Sequence, residues 1–108
     1  MQNENKYFSL KDKVIVVTGA TGILGESFVE GINDMGAKVV LLGRNEEVGM
    51  ERMNALNASG GEALFIKADV LIKSDLENAR DQVIKKWGRI DGLVNGAGGN
   101  IPEWGEIG

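Results

Sequence analysis

The residues of this chain best suited to chemistry are glycines. Gly19, Gly22 and Gly25 recur at a spacing of three in V-T-G-A-T-G-I-L-G, which runs from Val17 to Gly25. They stand directly behind the apolar run Val14, Ile15, Val16, Val17 and ahead of a stretch with helical periodicity. A glycine turn that closes a strand and opens a helix is suited to receive an anion. The first amides of a helix lack intrahelical partners, the helix end carries partial positive charge, and glycines let backbone approach a pyrophosphate. The plainer reading is a tight strand-to-helix turn with no ligand. Context favours the ligand: a buried strand before, a helix after, and a second strand ending roughly 20 residues further on.

Composition closes off other chemistries. There is no Cys and no His in the 108 residues. Thiolate nucleophiles, disulfides, imidazole bases and thiolate or imidazole metal sites are therefore excluded. A carboxylate-only Mg²⁺ or Ca²⁺ site would need a run of acids in one loop, and no loop has one. The formal net charge is −4, with acids and bases interspersed, whereas a nucleic-acid surface would show a basic stripe. No apolar run approaches the ~20 residues that span a bilayer, and the polar start M-Q-N-E-N carries no signal-peptide core. The expectation is a metal-free, cytoplasmic domain that engages neither nucleic acid nor membrane.

The elements that must position the glycine turn repeat one pattern. K-V-I-V-V-T-G is a strand, and the helix after it carries Leu24, Phe28, Ile32 and Met35 at a spacing that predicts an inward stripe. Gly36 stops that helix before a second strand, Lys38 to Leu42. A second helix should turn Met50, Met53 and Leu56 inward and stop at Gly60–Gly61. E-A-L-F-I-K-A-D-V is a third strand. The third helix should be capped by Ser74 with Glu77 reaching back, bury Leu76, Val83 and Trp87, and end at Gly88. R-I-D-G-L-V-N-G-A-G-G is a fourth strand running into a second glycine-rich turn. This divides the chain into an arm over 1–12, a partial domain over 13–98 and a tail over 99–108.

Strands alternating with helices imply an α/β fold with a parallel sheet, and right-handed crossovers restrict its topology. The expected strand order is 3-2-1-4, half of a doubly wound sheet, with helices one and two on one face and helix three on the other. Strands 1 and 4 are then neighbours, and the crevice above their carboxyl ends is where such sheets take ligands.

With V-T-G-A-T-G-I-L-G, A-D-V, W-G-R-I-D-G-L-V and N-G-A-G-G in this order, residues 8–99 resemble the N-terminal half of a short-chain dehydrogenase/reductase, a Rossmann-type fold. Y-F-S-L-K-D-K-V-I-V-V-T-G-A-T-G-I-L-G with L-L-G-R-N and N-G-A-G-G-N is most similar to the sugar-acid branch, of the D-mannonate (fructuronate) oxidoreductase type. The resemblance implies a nicotinamide dinucleotide cofactor, a sugar-acid substrate for the parent protein and a homo-oligomer. It implies that Gly19, Thr21, Gly22, Ile23 and Gly25 surround the pyrophosphate and the adenosine ribose. By the same resemblance Asp69 and Val70 meet the adenine, and Asn95, Ala97 and Gly98 border the adenosine side. The residues alone allow Asp69 as a strand-end cap and Asn95 as a turn residue, and they favour a backbone bond for Thr18.

The sequence departs from the family pattern twice. The commoner turn is T-G-x-x-x-G-x-G; here Gly22 comes one place early and Ile23 stands where glycine is usual. That spacing is similar to extended members such as sugar-nucleotide epimerases, which keeps an epimerase or dehydratase as an alternative, beside a non-enzymatic nucleotide-binding module. The family's N-N-A-G reads Asn95-Gly96-Ala97-Gly98, so strand 4 should lose the tie that the second Asn provides.

Cofactor choice turns on the end of strand 2, Leu42-Gly43-Arg44-Asn45. NAD-binding sheets usually put an acid there for the ribose 2′-hydroxyl. Gly43 offers none, while Arg44 and the amides opening the next helix from Asn45 can hold a 2′-phosphate. NADP is expected, with NAD possible. A solvated Arg44 is the alternative.

The family's hydride transfer uses a Tyr, a Lys four residues later and a Ser, all beyond strand 4. The one Tyr here, Tyr7, has Lys11 four residues on, but both precede strand 1. An arm packed on the sheet by Phe8 and Leu10 is the expected role of that stretch. The chain is therefore expected to be an inactive piece of an oxidoreductase with no catalytic residue of its own.

Overall fold

The computed structural model describes residues 9–96. Four strands and three helices alternate: β1 Val14–Thr18, α1 Gly25–Asp34, β2 Lys38–Gly43, α2 Glu46–Ala58, β3 Glu62–Lys67, α3 Lys73–Trp87 and β4 Gly92–Asn95. The sheet order is β3-β2-β1-β4 and every pair is parallel. This is the partial doubly wound α/β fold expected from the alternation.

Period-2 alternation along buried strands divides the core in two. Val14, Val16, Val40, Leu42 and Ile66 face Leu76, Ala79 and Val83 of α3. Ile15, Val17, Val39, Leu41, Ala63 and Phe65 face Val29 of α1 and Leu56 of α2. Leu10 of the arm packs against this second cluster, and its amide donates to Met35 O at 2.7 Å. Tyr7, Phe8, Ala97, Gly98 and the 99–108 tail lie outside the described residues.

The helix rotations differ from expectation. In α1 the buried residues are Gly25 and Val29, with Ile32 half-buried, while Leu24, Phe28 and Met35 are exposed. The inward stripe is thus Gly25, Val29, Ile32, because the helix lies directly on the glycine turn. A Cβ on Gly25 would be 2.5 Å from Gly19 O and 2.6 Å from Ala20 O. In α2, Gly49 and Leu56 are buried and Met50 is exposed. A Cβ on Gly49 would be 2.1 Å from the Phe65 ring, so only glycine lets the ring fill that side. Met53 stays half-buried, its Sδ accepting the Phe65 amide at 3.2 Å.

Ser74 does not cap α3. Ile72 holds the cap position, with no side-chain cap bond. Instead Asp75, in the first turn, accepts the Asp69 amide through Oδ2 at 2.8 Å, which pins the β3–α3 loop to the helix start. Gly88 ends the helix with φ +78°, in the left-handed region.

At the amino end of β1 the Val14 amide donates to Asp91 Oδ2 at 2.8 Å. Arg89 grips the same carboxylate with Nε at 2.8 Å and Nη2 at 2.7 Å. The bonds from Arg89, and then from the Val14 amide, hold the Asp91 carboxyl below the usual carboxylate range.

Candidate functional site

The site is built from the carboxyl ends of the four strands. After β1, Gly19 takes φ +66°, a left-handed conformation that a Cβ would strain. The Gly22 amide donates back to Gly19 O at 3.0 Å, and the Gly25 amide to Gly22 O at 3.3 Å. The Ala20 amide donates to Leu42 O at 3.0 Å, which fixes the turn to the end of β2. Leu24 precedes α1 and supplies no side-chain cap. The amides of Thr21 and Ile23 have no hydrogen-bond acceptor among the described residues.

At the end of β2, Gly43 gives its side-chain space to Thr21. A Cβ there would be 2.6 Å from Thr21 Oγ1 and 2.7 Å from Thr21 Cγ2. Arg44 follows, exposed and without a hydrogen bond or ion pair among the described residues. Asn45 is the N-cap of α2: its Oδ1 accepts the Val48 amide at 3.1 Å. Its side-chain acceptor is therefore engaged with the helix, and Asn45 turns its remaining surface to the cleft.

At the end of β3 the Ala68 amide donates to Gly43 O at 2.9 Å. Asp69 Oδ1 accepts the Leu71 amide at 3.0 Å, so the side chain closes a local turn while the residue borders the cleft. At the end of β4, Asn95 pairs in register with the fully buried Thr18. Thr18 Oγ1 donates to Asn95 Oδ1 at 3.0 Å, and the longer 3.5 Å contact to Val94 O is secondary. The backbone bond expected for Thr18 is present as the longer contact to Val94 O, and a shorter side-chain bond to Asn95 across the strands is added to it. The tie expected to be lost at Gly96 is made otherwise. The Gly96 amide donates to Thr18 O at 2.9 Å, and the Phe28 ring stands 3.1 Å from where a Cβ on Gly96 would lie.

These ends enclose one cleft of about 780 Å³. Of the residues singled out in the sequence, Gly19, Thr21, Gly22, Ile23, Arg44, Asn45, Asp69, Val70 and Asn95 all line it. Leu24, Gly43, Leu71 and Gly96 complete the wall, together with the buried Ala68. Gly25 lies behind the turn and serves close packing. Ile23 is 95% exposed at the mouth. Among the described residues no cluster of acids could hold a metal ion, and no helix is long and apolar enough to cross a membrane.

Sequence reasoning missed Arg52. From α2 its Nη1 donates to Ala20 O at 2.6 Å and Gly22 O at 2.8 Å. A signal was present: Gly49, Arg52, Met53 and Leu56 share one helical face, so a charge stands on the inward stripe. A charge so placed needs a partner.

The sequence matches the short chain dehydrogenase family over residues 13–106. It is 37% identical over 95 residues to the uncharacterized oxidoreductase UxuB of Bacillus subtilis strain 168, an alignment covering 88% of this chain and 34% of that protein. The fold is similar to a crystal structure, with bound NAD, of a Haemophilus influenza protein provisionally described as a D-mannonate oxidoreductase. The TM-score is 0.80 at 34% identity, over 90% of this chain and 35% of that one. It is also similar to an actinorhodin polyketide ketoreductase variant with NADPH, with TM-score 0.72 and 30% identity over 77% and 32% of the two chains. The chain spans about a third of the length of the relatives it matches.

Proposed function

The chain belongs to the short-chain dehydrogenase family, and from that premise we propose that it is the dinucleotide-binding part of an NADP(H)-preferring oxidoreductase acting on a sugar acid. The observation that carries this reading is the convergence of the Gly19–Gly25 turn, Arg44, Asp69 and Asn95 on one cleft above the strand ends. The residues present fit the cofactor. Gly19 frees the backbone to turn under it, and the unpartnered amides of Thr21 and Ile23 are donors without acceptors beside the cleft. Those amides, with Gly22 between them, hold the pyrophosphate. Arg44 meets the 2′-phosphate, with Asn45 fixing the helix start beside it. Asp69 and Val70 border the adenine, and Asn95, Ala97 and Gly98 the adenosine side. When bound, the cofactor supplies or accepts a hydride.

D-mannonate or fructuronate as the substrate of the longer protein is supported by the likeness to the Haemophilus influenza protein. We place the protein in the cytoplasm, as a homo-oligomer. No Tyr lies among the described residues, and the one Tyr of the sequence, Tyr7, precedes β1, so no catalytic residue is assigned to this chain. Isotope-labelled chain titrated with NADPH should show amide resonance shifts concentrated at Gly19, Thr21, Gly22, Asp69 and Asn95, with no NADPH oxidation on adding fructuronate. Shifts centred on the opposite sheet end, at Gly36 and Gly60, or turnover above the protein-free rate, would contradict the reading.

A further inference from the structure

Arg52 stands on the second turn of α2, and both of its hydrogen bonds run to carbonyls of the glycine turn, Ala20 O at 2.6 Å and Gly22 O at 2.8 Å. It has no carboxylate partner among the described residues, so its charge falls on those two oxygens. Among the described residues every peptide is trans. In a trans peptide the carbonyl of one residue and the amide of the next point in opposite directions. Ala20 O shares its peptide with the Thr21 amide, and Gly22 O shares its peptide with the Ile23 amide. Both are cleft-lining amides that have no acceptor among the described residues.

We infer that Arg52 is a positioning residue that aims the Thr21 and Ile23 amides at the phosphate groups of the bound dinucleotide. The inference rests on the dinucleotide reading proposed above. Drawing both carbonyls toward α2 does two things. It turns both donors the other way, and it keeps two partial negative charges from facing an anion. A cation on the carbonyl oxygen also polarises each peptide, which strengthens its N–H as a donor. Because one nitrogen holds both carbonyls, the two amides are fixed relative to each other, as bridging one pyrophosphate requires. Its hydrogen bonds run to backbone only, so it acts through the turn.

The test compares ligands with and without phosphate. Isotope-labelled chain, Arg52→Met and Arg52→Lys are each titrated with ADP-ribose and with adenosine, following the Thr21 and Ile23 amides, with thermal melts alongside. In the unmodified chain ADP-ribose should move both amide protons downfield and bind more tightly than adenosine. Arg52→Met should lose about tenfold or more in ADP-ribose affinity, the scale of a lost bond to a charged group, and less than about twofold for adenosine. Arg52→Lys keeps the cation on a shorter reach and should fall between. Should Arg52→Met fail to fold, an intermediate Arg52→Lys still supports the inference, and an Arg52→Lys that matches the unmodified chain overturns it. Equal losses for both ligands in a folded Arg52→Met, or no loss, overturn the inference alone. No binding of ADP-ribose by the unmodified chain overturns the dinucleotide reading and this inference with it.

Discussion

Thr21 occupies the space that a side chain on Gly43 would need: a Cβ at Gly43 would lie 2.6 Å from Thr21 Oγ1 and 3.1 Å from Thr21 Cβ. The turn after β1 and the end of β2 are therefore one steric unit. A carboxylate placed at Gly43 to recognise a ribose 2′-hydroxyl clashes with the Thr21 side chain. We expect Gly43→Asp alone to destabilise the fold by roughly 1–3 kcal/mol, the usual cost of overpacking. Thr21→Gly with Gly43→Asp should recover much of that loss and shift the NAD(H)-to-NADP(H) affinity ratio by about tenfold toward NAD(H), the scale of one charge-assisted bond. Thermal melts and calorimetric titrations of the single and double variants measure both effects.

Gly25 and Gly31 lie in the same helix and should respond in opposite directions. A Cβ on Gly25 would meet backbone atoms of Gly19 and Ala20 within 2.7 Å, and backbone cannot rotate aside. Gly25→Ala should cost about 1–3 kcal/mol or more. Gly31 is exposed, and a Cβ there meets nothing within 4 Å. Gly31→Ala should stabilise by roughly 0.5–1 kcal/mol, the helix-propensity difference. Urea unfolding of the two variants beside the unmodified chain tests the pair.

Asp91 gives the fold an acid-sensitive clamp. Its folded carboxyl titrates below its ordinary value, chiefly through the bond from Arg89 and then through the Val14 amide. A carboxyl depressed on folding contributes stability that is fully present above its unfolded pKa and is lost as pH falls through the folded value. The unmodified chain should therefore exceed Asp91→Asn in stability at neutral pH, and the gap should close as pH falls below roughly 4. Urea midpoints of both proteins across that range decide it; a constant gap would show that the charge of Asp91 is not its source.

The parts legible in the sequence were those set by local pattern. Apolar runs such as Val14–Val17 and Val39–Leu42, punctuated by Gly36, Gly60 and Gly88, carried the strand order and the side of each helix. The rotation of α1 was hidden because two stripes compete in it. Leu24, Phe28, Ile32 and Met35 make the larger apolar face, yet the helix turns Gly25 and Val29 inward, since only glycine can lie on the turn's carbonyls. Ser74 with Glu77 spells a capping box, but the Asp69–Asp75 bond starts the helix two residues earlier. Arg52 was lost because an arginine on a helix reads as solvated until the turn it grips is folded beside it.

The proposed dinucleotide cleft should favour the 2′-phosphorylated form of the cofactor, through Arg44. Gly43 presents no carboxylate to repel that phosphate, and Arg44 is exposed beside it without an ion pair among the described residues. Calorimetric titration of the unmodified chain with NADPH and NADH, repeated with Arg44→Ala, tests this directly. NADPH should bind more tightly by about tenfold or more, the scale of one charge-assisted contact, with near-equal affinities once Arg44 is removed. Binding of neither cofactor, equal affinities in the unmodified chain, or a preference for NADPH that survives Arg44→Ala would contradict it.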